Sequence, residues 1–200
     1  MSPEKPKTII IIPGLGDYSP YSIKRIESLT NHWKDFGFNT LVHTVFWRDG
    51  EDFEPKLLKL LALIDSLSKT GEVNLVGTSA GASMAFNAFL ERKNTIAKAV
   101  NVCGRLRAGN HRVRSLNNMA KTSIAFKQAV QQFENMESEL TPDDRKRLMT
   151  IRPFFGDELV PSDTVGIEGA NNQLVYVPTH MLGIGFSLKF PNQVIKFLSD

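Results

Sequence analysis

Five consecutive residues, Thr8 to Ile12, are β-branched, and the run stops at Pro13-Gly14. Such a run offers no polar face to solvent, so it reads as a strand buried on both sides, as the central strands of a parallel sheet are. After the loop Pro13 to Tyr18, apolar residues return at Ile23, Ile26, Leu29, Trp33 and Phe36, the spacing of one helical face, until Gly37 supplies a stop. This strand, loop and helix unit then recurs. Thr40 to Trp47 reads as a strand and Pro55 to Leu67 as a helix, with Leu57, Leu60, Leu61, Ile64 and Leu67 on one face. Val73 to Val76 (strand), Ala80 to Arg92 (helix) and Ala97 to Cys103 (strand) follow. Alternation of this kind predicts an α/β fold, a mostly parallel sheet with helices on both faces.

Between Gly104 and Thr150 the alternation lapses into helical material with Ile124, Val130, Phe133 and Met136 as its apolar positions. Thr141-Pro142-Asp143-Asp144 has the form of a capped helix start. Residues 104–150 are therefore expected to be a helical cap inserted into a single domain spanning 1–200. Ile151 to Phe155 and Gln173 to Val177 read as the last strands, the first weakened by Pro153, which removes a ladder donor. Leu188 to Leu198 closes the chain as a helix.

Composition excludes several functions. Twenty-four Lys and Arg against 21 Asp and Glu leave a net charge of +3, too small to point to nucleic acid. The single cysteine, Cys103, cannot form an internal disulfide. The apolar run Ile9 to Ile12 is too short for a signal-peptide core, and no run approaches the roughly 18 apolar residues of a membrane helix. The leucine stripe at 57–67 could lie on a membrane surface only with more lysine beside it than Lys56, Lys59 and Lys69. A cytoplasmic protein with no integral membrane association is expected.

Gly77-Thr78-Ser79-Ala80-Gly81 matches the pattern G-x-S-x-G, which a chain of this length would show by chance about once in fifteen. Its position raises the signal, because it falls between a predicted strand and a predicted helix, where a strained turn can present a serine hydroxyl. A serine needs a base within hydrogen-bond reach and a third group to orient that base. His180 lies just past the strand Gln173 to Val177, in a loop at a sheet's C-terminal edge. His32, His43 and His111 fall in a helix, a strand and the cap, where a structural or solvated imidazole is expected. Asp157 follows the strand Ile151 to Phe155 and completes the order Ser, Asp, His, with Glu158 and Asp163 as competitors for its role.

Pro13-Gly14-Leu15-Gly16-Asp17 has the glycine content for close backbone approach, which makes the N–H groups of Leu15 and Ala80 the candidate oxyanion hole. The loop is only half of a dinucleotide fingerprint, since Ser19 stands where the third glycine belongs. Arg105 and Arg107 follow the strand ending at Cys103 and could face an anionic substrate. Trp47, Tyr18 and Phe or Met residues between 119 and 136 are candidates for an apolar pocket.

On Ile-Pro-Gly-Leu-Gly-Asp, Gly-Thr-Ser-Ala-Gly, Gly-Asp-Glu-Leu-Val-Pro and Pro-Thr-His-Met-Leu-Gly, the chain from Thr8 to about Leu198 resembles the α/β-hydrolase superfamily. The resemblance implies a mostly parallel sheet, an acyl-enzyme on Ser79, triad roles for Asp157 and His180, a small-molecule acyl substrate, and neither cofactor nor metal. The chain starts directly at the first core strand, which implies a shortened sheet of about six strands, and Pro13 stands where many members carry a histidine. The expected activity is that of a serine hydrolase on a carboxylic ester or thioester. A non-catalytic protein that holds a ligand or partner in the same pocket is the alternative from another class.

Overall fold

A computed structural model describes residues 5–200. Six strands form one sheet in the order β2-β1-β3-β4-β5-β6, and every neighbouring pair is parallel. They are β1 (Lys7–Ile12), β2 (Phe38–Val42), β3 (Glu72–Thr78), β4 (Ile96–Val102), β5 (Leu148–Pro153) and β6 (Asn171–Val175). Eight α-helices connect or follow them: α1 (Pro20–Thr30), α2 (Phe53–Leu67), α3 (Gly81–Glu91), α4 (Leu116–Met119), α5 (Ile124–Met136), α6 (Pro142–Lys146), α7 (His180–Lys189) and α8 (Asn192–Ser199).

The β-branched run does what its composition demands. Ile9 and Ile11 point into one apolar cluster and Ile10 and Ile12 into the other, all four fully buried. Each contributes roughly 2 kcal/mol of burial free energy. The first cluster takes in Ile26 and Leu29 of α1, Trp33, and residues of α7 and α8; the second takes in α2, α3 and α5. Helices thus cover both faces of the sheet. No described helix is long and apolar enough to cross a membrane.

Several boundaries differ from the sequence expectation. The strand expected over Thr40 to Trp47 ends at Val42, because a buried carboxylate takes its remaining donors. Asp17 accepts from the N–H groups of Val45 and Phe46 at 2.7 and 2.6 Å and of Trp47 at 3.3 Å. Opposite it, buried Lys56 donates to the carbonyls of Val45 and Phe46 and pairs with Asp49. Two opposite charges therefore saturate a stretch of backbone that leaves the sheet. Burial pushes the Asp17 carboxyl pKa up, against the three N–H donors and Lys56, which pull it down.

The single closing helix expected over Leu188 to Leu198 is two helices, α7 and α8, divided at Pro191, which has no N–H with which to continue α7. The strand expected at Ile151 to Phe155 starts earlier, at Leu148. Within residues 104–150, α5 packs against α2 and α3 in the layer over one sheet face. Asp144 closes a capping box with Thr141 at the start of α6, as the Thr-Pro-Asp-Asp signal predicts.

Asp17→Ala is expected to lower the unfolding free energy by about 3 kcal/mol, since it strands N–H groups at buried Val45 and Trp47. Urea denaturation measures this; an unchanged midpoint would show that water or another acceptor replaces the carboxylate.

Candidate active site

Ser79 is the residue at which β3 turns into α3. Its φ is 51°, left-handed backbone that costs a serine on the order of 1–3 kcal/mol. The turn is held by Ser79 N–H donating to the Val102 carbonyl at 3.0 Å and by Ala82 N–H donating to the Ser79 carbonyl at 3.1 Å. The flanking glycines are steric necessities. A Cβ on Gly81 would lie 2.0 Å from the carbonyl oxygen of Ile12, and one on Gly77 would lie 2.4 Å from the Cα of Ala82. Strand, helix and β1 meet at distances that no side chain permits.

His180 is not in a loop, as expected from sequence, but is the first residue of α7. Thr179 caps that helix through Leu182 N–H, and the Glu158 carboxylate accepts from the N–H of His180 at 2.8 Å. Glu158 therefore serves the helix start and does not compete for the imidazole. The His180 side chain is buried beside Asp157, with Nδ1 2.7 Å from Asp157 Oδ2 and Nε2 3.0 Å from Ser79 Oγ. Asp157 divides its two oxygens. Oδ1 accepts from the N–H groups of Leu159 and Val160, each at 2.8 Å, which turns Oδ2 toward the ring. With Nδ1–H donated to Oδ2, Nε2 is left as acceptor for the Ser79 hydroxyl.

The structure therefore brings together Ser79, Asp157 and His180. Asp163 lies elsewhere, 2.9 Å from the ring of His111. The loop after β1 reaches the same place, for a Cβ on Gly14 would lie 2.7 Å from Ser79 Cβ and 3.3 Å from Ala80 N. Trp47 and Asp17 hold that loop. Trp47 Nε1–H donates to the Pro13 carbonyl at 3.0 Å, and Asp17 N–H to that of Gly14 at 3.1 Å. Leu15 and Ala80 both line the cavity in front of Ser79.

That cavity has a volume of about 340 Å³ and is mostly apolar. Its walls come chiefly from α1 and α7; residues 104–150 give it Arg105 and Phe126. Trp47 and Tyr18, expected from sequence to line it, do not: Trp47 is buried in the core and Tyr18 carries Arg48 over its ring. Arg107 is turned away to Glu137, and the fully buried Arg105 donates to the carbonyls of Arg107, Ala108 and Arg114. Burial raises the pKa of Cys103, next to the site, so that it remains a neutral thiol, and the Asp157 charge adds to the effect. Among the described residues no group of His, Cys, Asp and Glu is arranged to hold a metal ion.

The sequence offered no sign of the part played by Asp17, Glu158 or α7. Only the Thr179 cap, a threonine before an apolar run, could have revealed the helix start at His180. Gly81→Ala is expected to lower stability by about 3 kcal/mol by driving α3 away from β1. Thermal denaturation measures it, and an unchanged melting temperature would refute the steric account.

No protein-family model matches the chain, and no curated protein matches it in sequence. Solved structures do match in fold. A metagenome-derived lipolytic enzyme aligns at a TM-score of 0.69 and 12% identity, covering 96% of this chain and 94% of that one. Est1E from Butyrivibrio proteoclasticus aligns at 0.66 and 16% identity, covering 99% and 90%. A lipase-esterase related protein from Clostridium acetobutylicum aligns at 0.66 and 13%, covering 96% and 94%. With six parallel strands between two helical layers and these structural neighbours, the protein has the α/β-hydrolase fold.

Proposed function

We propose that the protein is a serine hydrolase that cleaves a carboxylic ester or thioester through an acyl-enzyme on Ser79. The observation that carries this reading is the chain of contacts from Asp157 Oδ2 to His180 Nδ1, 2.7 Å, and from His180 Nε2 to Ser79 Oγ, 3.0 Å. In it His180 Nε2 accepts the hydroxyl proton as Oγ attacks the acyl carbon, and Asp157 stabilises the imidazolium that results. The carbonyl π electrons move onto oxygen, where the N–H groups of Leu15 and Ala80 receive the negative charge. The leaving alcohol or thiol takes the proton from Nε2, and water repeats the sequence to release the acid.

Two further observations support the reading. Asp157 and His180 are buried, which strengthens the electrostatics of their pairing, while Ser79 is half-exposed and borders the cavity. The structural neighbours include lipolytic and esterase-related proteins, and Est1E has been solved with ferulic acid bound. At 12–16% identity they support hydrolysis as a class and no particular substrate.

A fluorophosphonate is expected to label the protein at Ser79, and Ser79→Ala to abolish the labelling. Labelling that survives the substitution, or is never seen, would favour the non-catalytic alternative. Asp157→Asn is expected to lower kcat for p-nitrophenyl acetate by about 10⁴-fold without loss of folding, because the imidazole loses its orienting carboxylate. A loss below tenfold would remove Asp157 from the mechanism.

A further inference from the structure

The cavity before Ser79 continues as a groove between two helices. On α7 the residues that line it are Met181, Ile184, Gly185 and Leu188, spaced i, i+3, i+4 and i+7, which is one helical face. From α1 it receives Tyr21, Ser22 and Arg25 and, further along the helix, Ile26 and Leu29. Where Ile26 and Leu29 face Ile184 and Leu188 the walls are aliphatic, and Leu188 is fully buried.

The two glycines of α7 are unlike each other. A Cβ on Gly183 would lie 2.7 Å from Cys103 Sγ and 3.1 Å from Pro153 Cγ, so close packing on the sheet explains that residue. Around Gly185 a Cβ would meet nothing within 4 Å, although the residue is half-buried and lines the cavity. Glycine in a helix interior is less stable than alanine, and no neighbour here repays the loss. The space it leaves opens into the groove that begins at the reactive hydroxyl.

We propose that the groove between α1 and α7 is the acyl-chain site, and that Gly185 sets the length of chain it admits. This rests on the ester-hydrolase reading and adds a substrate class: linear aliphatic acyl groups longer than acetyl. The chain would lie between Ile26 and Leu29 on one side and Ile184 and Leu188 on the other, with the Gly185 backbone where a side chain would otherwise block it.

The experiment compares the parent, Gly185→Ala and Gly185→Leu on p-nitrophenyl acetate, butyrate and octanoate, and on a series of alkyl acetates. Gly185→Ala is expected to melt no lower than the parent, since its Cβ meets nothing. In Gly185→Leu, kcat/KM for octanoate is expected to fall about tenfold or more while that for acetate changes less than twofold. Equal losses at every acyl length, no loss at all, or a loss that follows the alcohol would overturn the assignment. If Gly185→Leu does not fold, the same comparison with Gly185→Ala decides it, on a smaller but still length-dependent loss. Octanoate binding to the Ser79→Ala protein, with and without Gly185→Leu, separates the two readings by calorimetry. Absence of turnover in the parent would refute the hydrolase, whereas equal octanoate affinity in the two proteins would refute the groove.

Discussion

Ser79 sits in left-handed backbone because β3 gives way to α3 within two residues, and that is possible only where Gly81 can lie against the carbonyl of Ile12. The contact joins three elements, the first core strand, the strand that leads into Ser79 and the helix that follows it. It therefore sets the distance between Ser79 and the loop after β1, where Gly14 comes into contact with the same serine. The strain at Ser79 is held by burial on both sides, since β1, β3 and α3 are each packed into the apolar clusters.

Around this turn the polar groups are satisfied so that few choices remain. Asp157 devotes one oxygen to the backbone of Leu159 and Val160, and the imidazole receives the other. Asp17 fills the donors of residues 45–47 and Lys56 the carbonyls of Val45 and Phe46, which places Trp47 where it can tie down the carbonyl of Pro13. A loop that would otherwise be adaptable is braced by a buried anion, a buried cation and an indole. The backbone beside Ser79 is thereby held in one arrangement.

The sheet was legible because its strands are short apolar runs punctuated by glycine and proline, and a run such as Thr8 to Ile12 has no alternative in a small α/β protein. That Ser79, Asp157 and His180 would be brought within reach of one another was legible from their order and from their places after strands. What was not legible depends on contacts distant in sequence. The end of β2 is decided by Asp17, 28 residues before Val45, and nothing local to Thr40 to Trp47 announces it. The helix beginning at His180 was hidden by its two glycines, which weaken helical propensity, and its N-terminal N–H is accepted by Glu158, 22 residues earlier. The pocket walls were misjudged for the same reason, because the wall contributed by α7 was not read as a helix.

Mounting His180 on the first turn of α7 makes the imidazole and one side of the cavity parts of the same rod. Whatever fills the space beside Ile184 and Leu188 bears on the element that carries the ring, and the rod is fastened at one end by Thr179 and Glu158 and at the other by the break at Pro191. Any displacement of α7 would therefore carry the imidazole and that side of the cavity together, as one body.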